Sequence, residues 1–483
     1  MLGEQVAPAV GASAAYRDAR IRHWNHVADG LARYDRANRG YHSRLREIYR
    51  SLIPPGHRVL EIGCGAGDLL ASVRPSVGVG VDFAPAMIAI ARSRHPGLSF
   101  VTADAHELAL GETFDFIILS DLVNDLWDIQ QVLRVVARHA DRSTRIVLNF
   151  YSRLWELPLR AVKALGLSRP NLDQNWVTLE DVANLLDLAN CDIVKHSVEI
   201  LWPLGTPGLA PLFNRVLVKL WPFTMFGLTH VVVARRQGES RATEPSRVSV
   251  IVPARNEAGN IPAIFDRVPD MGDGTELVFV EGHSADATYD AIERQIAAHP
   301  QRRAVLLRQQ GEGKGDAVRE GFARASGDVL MILDADLTVA PEELPRFYDA
   351  LVSGKGEFIN GIRLVYPMED RAMRFLNLVG NRFFSLLFSW LLGQPVKDTL
   401  CGTKVLWRRD YRRIADNRGF FGDFDPFGDF DLLFGAAKLT LKIVEVPIRY
   451  RQRTYGTTNI RRWHHGLLLL RMSAVAARKL KCV

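Results

Sequence analysis

Twice along this chain, short aliphatic runs alternate with helical patterns, and a polar stretch separates the two series. In the first series strand-like runs fall at Arg58–Ile62, Val77–Val81, Phe114–Leu119 and Arg145–Phe150, with helical patterns such as Met87–Arg94 and Gln130–His139 between them. In the second they fall at Val248–Val252, Leu277–Val280, Ala304–Leu307 and Val329–Leu333. Alternating strand and helix predicts parallel sheets covered by helices on both faces, so the fold class expected is α/β in two domains. Ligand-binding residues are then expected beyond the C-terminal ends of the strands. The stretch Arg236–Ser246 lacks apolar periodicity and marks the boundary.

A length of 483 residues agrees with two or three domains, and 47% hydrophobic with 24% charged residues is a globular composition. Cys64, Cys191, Cys401 and Cys482 show no CxxC or CxC spacing, which argues against a disulfide framework or zinc site and for a reducing cytoplasm. No basic start followed by an apolar run opens the chain, so no secretory signal is expected. The longest apolar run, Phe383–Leu392, is too short to span a membrane and reads as a buried helix or one lying at a membrane surface. The net charge of +7 is concentrated late: from Val446 onward there are nine Lys or Arg and no Asp or Glu. Such a tail suits anionic lipid or a phosphorylated substrate; without a nucleic-acid-binding motif, nucleic acid is the least favoured partner.

In the first series, Val59-Leu60-Glu61-Ile62-Gly63-Cys64-Gly65-Ala66-Gly67 reads as a strand entering a tight glycine turn before a helix. Glycines permit positive φ and a close ligand approach. The next strand ends at Asp82, positioned to accept hydrogen bonds from ribose hydroxyls. With Glu61 ahead of the glycines, this pattern resembles class I S-adenosylmethionine-dependent methyltransferases over roughly residues 40–235. The resemblance implies a Rossmann-like fold and a cofactor site of Glu61, Gly63, Gly65, Gly67, Asp82, Asp104 and Asp121, with Asp104 at the adenine. His42, His106, Asp121, Asn124 and Asp125 are the candidates near the methyl acceptor; Asp121 and Asn124 are expected to line the site.

In the second series, the strand Val248–Val252 runs into Pro253-Ala-Arg255-Asn256-Glu257, and the next ends at Glu281, followed by Gly282-His283-Ser284-Ala-Asp286. Gly311-Glu-Gly313-Lys314-Gly315 precedes a helix, a setting in which backbone amides and one lysine suit a diphosphate. The apolar strand Val329–Leu333 delivers Asp334 and Asp336, hard oxygen ligands that select Mg²⁺ or Mn²⁺ and substrate phosphates. This order resembles glycosyltransferase family 2, and over about residues 247–460 its dolichyl-phosphate-mannose synthase branch. The resemblance implies a GT-A fold, with Pro253, Arg255, Asn256, Glu257, Glu281, Lys314 and Asp334 holding a nucleotide sugar. It departs from the family where Glu281-Gly282-His283 replaces Asp-Asp-Gly and Thr338 replaces a glutamine. Arg363 and Arg453 match residues that contact an acceptor phosphate, and Asp429 or Asp431 would be the base were the acceptor a hydroxyl.

The expected organisation is a methyltransferase-like domain over 1–235, a linker at 236–246, a GT-A domain over 247–455 and a basic amphipathic segment at 456–483. The expected activity is metal-assisted inverting sugar transfer from a nucleotide sugar, with polyprenyl phosphate the favoured acceptor and methylation of a related glycan or lipid beside it. The expected place is the cytoplasm, peripheral to the inner membrane face. Two rivals stand: a transferase acting on a polysaccharide or natural-product hydroxyl, and a first half that binds S-adenosylmethionine or scaffolds without catalysis.

Overall fold

In the computed structural model the described residues are 10–32, 38–164, 172–238, 246–363, 375–399, 401–420, 429–449, 455 and 470–481, with backbone alone at 10–12, 162–164, 375–381, 420 and 429–430. The chain forms two compact units, divided between Gln237 and Gly238.

The first unit is built on β1 (Arg58–Ile62), β2 (Val77–Asp82), β3 (Ser99–Thr102), β4 (Phe114–Leu119), β5 (Ala140–Tyr151), β6 (Cys191–Glu199) and β7 (Thr229–Arg236). Their order is β3-β2-β1-β4-β5-β7-β6, and β7 runs antiparallel to both neighbours. Val59, Leu60, Ile62, Ile117, Leu119 and Ile146 are all but fully buried, as expected of central strands covered on both faces. Order reverses between β1 and β4, where the crevice of a doubly wound sheet opens. The turn after β1 needs its glycines: Gly63, Gly65 and Gly67 have φ of 76°, 51° and 77°, a region that costs other L-residues roughly 1–2 kcal/mol.

The second unit contains β8 (Val248–Ala254), β9 (Thr275–Glu281), β10 (Arg303–Arg308), β11 (Val329–Ile332), β12 (Phe358–Ile362), β13 (Lys404–Trp407) and β14 (Ile443–Pro447). The order is β10-β9-β8-β11-β13-β12-β14, with β13 antiparallel to β11 and β12. One face buries Val250, Val252, Phe279 and Met331; the other buries Ile251, Val278, Leu330 and Ile332, the period-2 alternation of strands. The helix Phe375–Leu392 buries Phe388, Leu391 and Leu392 in this second core but leaves Phe383 and Leu386 outside. The late helix packs there too, through Met472 and Ala476, and Lys481 lies over the Trp390 ring. No helix among the described residues is long and apolar enough to cross a membrane.

Candidate active sites

Beyond the C-terminal ends of β1, β2 and β4 lies a cavity of about 310 Å³ whose lining includes Gly63, Asp82, Asp104, Asp125 and Trp127. Asp82 accepts from the Gly65 and Ala84 amides, both at 2.9 Å, and burial raises its carboxyl against those bonds. Asp104 accepts from the amide and Nδ1 of His106 at 2.9 and 2.7 Å. Burial opposes its charge, but His106 and Arg17 together hold the Asp104 carboxyl low. Glu61, Gly65, Gly67 and Asp121 do not line this cavity. Glu61 faces the helix that follows the turn, accepting from the Leu70 amide at 2.9 Å, and its burial raises its pKa to about 8.

Asp121 lies two residues beyond β4 in the left-handed region, φ 53°. Its Oδ1 receives the Tyr41 hydroxyl at 2.7 Å and the Asn149 amide at 2.5 Å, while Tyr49 donates to Asn149 Oδ1 at 2.8 Å. Burial raises the Tyr41 hydroxyl well above the usual phenol range, keeping it a donor. Asn124, expected beside Asp121, is instead fully buried, its side chain bonded to Asn175 O and the Tyr151 amide, so it shapes the loop from behind.

A whole wall of the cavity comes from the helix Val10–Asp29, in which sequence reasoning found no site residue. Arg20 Nε and Trp24 Nε1 each reach a different Asp125 oxygen at 2.9 Å, and Arg20 stacks over the Tyr16 ring at 3.6 Å. The separation of over a hundred residues between these partners left no local signal.

In the second unit the loops after β8, β9, β10 and β11 meet. The Asn256 amide donates to Ser284 Oγ at 3.0 Å, and Asn256 Oδ1 receives the Ala285 amide at 2.7 Å. Glu281 Oε1 accepts the Ser284 amide at 2.6 Å, and Glu257 Oε2 holds Asn260 at 2.7 Å, so both carboxylates stiffen these loops. Pro253 is half-buried and Arg255 exposed at the same strand end. Asn256, His283 and Leu337 have φ of 57°, 56° and 52°, so non-glycine left-handed backbone follows each of β8, β9 and β11. Such strain gathers at functional loops. It also accounts for the family's glycine where this chain has His283.

Lys314 opens the helix Lys314–Arg324 and reaches across to Asp334 Oδ1 at 2.6 Å. Burial disfavours charge on Asp334, but Lys314 first, then Lys404 and Arg363, hold its carboxyl below the usual carboxylate range. Asp336 Oδ1 accepts from Thr338 N and Oγ1 at 3.1 and 2.8 Å, giving Thr338 an orienting role. Gly402 presses on the pair: a Cβ there would overlap the Asp334 carboxylate and lie 2.5 Å from Lys314 Nζ.

Arg363 grips the buried Asp398 with two side-chain bonds, Nε to Oδ2 at 2.7 Å and Nη2 to Oδ1 at 2.8 Å. Asp431 pairs with Arg418 at 2.8 Å. Arg453 and the Asp429 side chain lie outside the described residues.

Two doubly wound sheets with glycine-turn and Asp-x-Asp loops at their switch points define a two-enzyme transferase, a Rossmann-like unit followed by a GT-A unit. Family models match accordingly: Methyltransferase domain over residues 59–142 and Glycosyl transferase family 2 over residues 249–419. The chain belongs to glycosyl transferase family 2 and also carries an S-adenosylmethionine-dependent methyltransferase domain. It is similar to the polyprenol monophosphomannose synthase of Mycolicibacterium smegmatis, 30% identical over 232 residues, 46% of this chain and 85% of that protein. It is also similar to the undecaprenyl-phosphate mannosyltransferase of Micrococcus luteus, 28% identical over 222 residues, 44% of this chain and 87% of that protein. Among solved structures, glucosyl-3-phosphoglycerate synthase of Mycobacterium tuberculosis matches at 22% identity and TM-score 0.36, over 49% of this chain and 80% of that one. A methyltransferase of Thermotoga maritima matches at 17% identity and TM-score 0.36, over 45% of this chain and 99% of that one.

Proposed function

We propose that the second unit transfers a sugar from a nucleotide sugar to a polyprenyl phosphate with inversion, and that the first unit methylates a related glycan or lipid. The observation that carries the reading is the Lys314–Asp334 pair beneath Gly402, with Asp336 two residues on. Among the described residues no group of three or more His, Cys, Asp or Glu is gathered for a metal. Two carboxylates fit Mg²⁺ or Mn²⁺, which keep waters and take substrate phosphates as further ligands. When bound, such an ion supplies Lewis-acid neutralisation of the departing diphosphate.

In this reading Lys314 and the amides at its helix start bind the diphosphate, while Pro253, Arg255, Asn256, Glu257 and Glu281 shape the nucleotide loops. An acceptor phosphate oxygen bonds to the anomeric carbon as the bond to the diphosphate oxygen breaks. A phosphate monoester, with a second pKa of about 6, attacks as an anion and needs no base. The engagement of Asp431 by Arg418 favours this over a hydroxyl acceptor. Arg363, held by Asp398, presents positive charge beside Asp334, and Arg453 is assigned to the acceptor phosphate by resemblance. The named acceptors of the two relatives support the same class.

In the first unit Asp82 and Asp104 would meet the ribose and adenine of S-adenosylmethionine, which supplies the methyl group. Gly63 lines the cavity, Gly65 and Gly67 shape the turn beside it, Glu61 fixes that turn from behind, and Asp121, held by Tyr41, is assigned to the acceptor side by resemblance. We assign 1–235 to this function, 236–246 to a linker, 247–455 to sugar transfer and 456–483 to a basic segment, with the enzyme peripheral at the inner membrane face.

The test is release of nucleoside diphosphate from a panel of nucleotide sugars with Mn²⁺ or Mg²⁺, with and without polyprenyl phosphate. Replacing Asp334 and Asp336 together by alanine should lower release at least about a thousandfold. Sugar transfer that survives this double replacement would refute the assignment.

A further inference from the structure

We propose that the excursion between β6 and β7 of the first unit, Ile200–Leu228, is a docking surface for an anionic lipid bilayer. Its short helical turns, Leu209–Pro211, Leu212–Val216 and Leu217–Lys219, follow one another without a break. Leu209, Leu212, Val216 and Leu220 recur at three- and four-residue spacing, and all are 41–48% exposed. Two polar side chains of these turns, Asn214 and Lys219, point the other way, while Arg215 stays at the surface beside Glu47. Asn214 is buried, its Oδ1 accepting from the Leu201 and Trp202 amides at 2.9 and 2.8 Å. Lys219 is buried against Glu199, which Arg44 also contacts at 3.4 Å. A helix of a water-facing surface does the reverse, with polar groups outward.

The apolar face then widens. Trp221 is 81% exposed, and Met225 and Phe226 are 57% and 58% exposed. Trp155 Nε1 bonds Phe226 O at 2.9 Å, bringing in the neighbouring segment where Leu154 and Leu157 are 64% and 75% exposed. A patch of this kind marks a site of association. Two observations choose lipid as the occupant. Residues 153–163 and 200–228 together carry Arg153, Arg160, Lys163, Arg215 and Lys219 against Glu156 alone, and Arg160 and Arg215, though paired with Glu156 and Glu47, remain 66% and 46% exposed. The outward set also mixes Trp with Phe, Met and Leu, the composition of elements that lie in the membrane interface.

The surface adjoins the methyl site. Gly205 of the excursion packs on Gly40, where a Cβ would lie 2.5 Å from the Gly205 nitrogen, and the next residue, Tyr41, holds Asp121. On the methyl-transfer reading proposed above, the acceptor therefore reaches Asp121 from the bilayer side.

The test uses the full chain and vesicles without polyprenyl phosphate, either phosphatidylcholine alone or with an equal part of phosphatidylglycerol. The protein should float with the anionic vesicles, and W221S/M225S/F226S should weaken binding at least about tenfold. Brominated lipid should quench the wild type more than W221F, an independent readout in a conservatively changed protein. Equal binding by wild type and triple variant, or equal quenching of wild type and W221F, would overturn the proposal. So would a shift of the triple variant from dimer to monomer on gel filtration, which would make the face a contact between copies. Loss of binding in F383S/L386S alone would move docking to the other unit and equally refute it. Diphosphate release by the triple variant with detergent-dispersed acceptor should equal that of the wild type. Absence of release in both would sink the sugar-transfer reading without touching this one.

Discussion

Glu61 is buried and Asp334 half-buried, and their surroundings drive the two carboxyls in opposite directions. Asp334 has Lys314, Lys404 and Arg363 to oppose desolvation, whereas Glu61 has one backbone amide and, in Asp82 and Asp68, further negative charge. With its pKa raised from 4.5 to about 8, folded Glu61 keeps its proton where the unfolded chain has lost it. Its contribution to stability is therefore greatest below about pH 4.5 and falls as pH rises to about 8. In Glu61→Gln, urea titrations from pH 5 to 8 should show this decline flattened by a few kcal/mol, because glutamine can still accept from Leu70. An undiminished slope would show that Glu61 is ionised in the fold. The sequence marked Glu61 as a cofactor residue by register alone; what its register could not convey is that the carboxylate faces a helix start, closing an unsatisfied amide.

At the scale of elements, most strands were legible because buried parallel strands are continuous aliphatic runs. Asp334 and Asp336 were legible because they follow such a run directly. The antiparallel β13 was not among the expected strands, and its insertion between β11 and β12 depends on pairings more than forty residues apart. The Arg363–Asp398 fork and the Arg20–Asp125 contact escaped for the same reason: long-range partners leave no spacing pattern. Gly402 shows the mechanical side of this arrangement. Gly402→Ala should push the Asp334 carboxylate and Lys314 apart and reduce sugar transfer by about a hundredfold, the cost of a misplacement near 1 Å. Binding of S-adenosylmethionine should be unchanged, and circular dichroism should remain that of the wild type. Unchanged turnover would mean that the loop yields freely and that the close approach has no bearing on catalysis.

For the whole molecule, the division at Gln237 separates two sheets, each with apolar clusters on both of its faces. Each unit therefore has the means to respond to its own ligand. In calorimetry, S-adenosylhomocysteine at a hundred times its Kd should stabilise one transition by about 2.7 kcal/mol and leave the other in place. A nucleoside diphosphate with Mn²⁺ should move the other transition instead. If both transitions moved with either ligand, the units would be unfolding as one cooperative body.

The Lys314–Asp334 bond has a last consequence, which concerns the order of events rather than their chemistry. A carboxylate already neutralised by an ammonium group is a poor first port for a dication, and an ammonium group held by a carboxylate is a weak lure for a phosphate. A ligand that brings both charges at once exchanges one ion pair for two. Donor and metal should thus bind with positive cooperativity, each raising the affinity of the other by the same factor. Mn²⁺ titrations with and without nucleoside diphosphate, read against the reverse titration, should return that common factor. On the metal-assisted reading proposed above, no ion waits at the site; it is admitted together with the substrate that needs it.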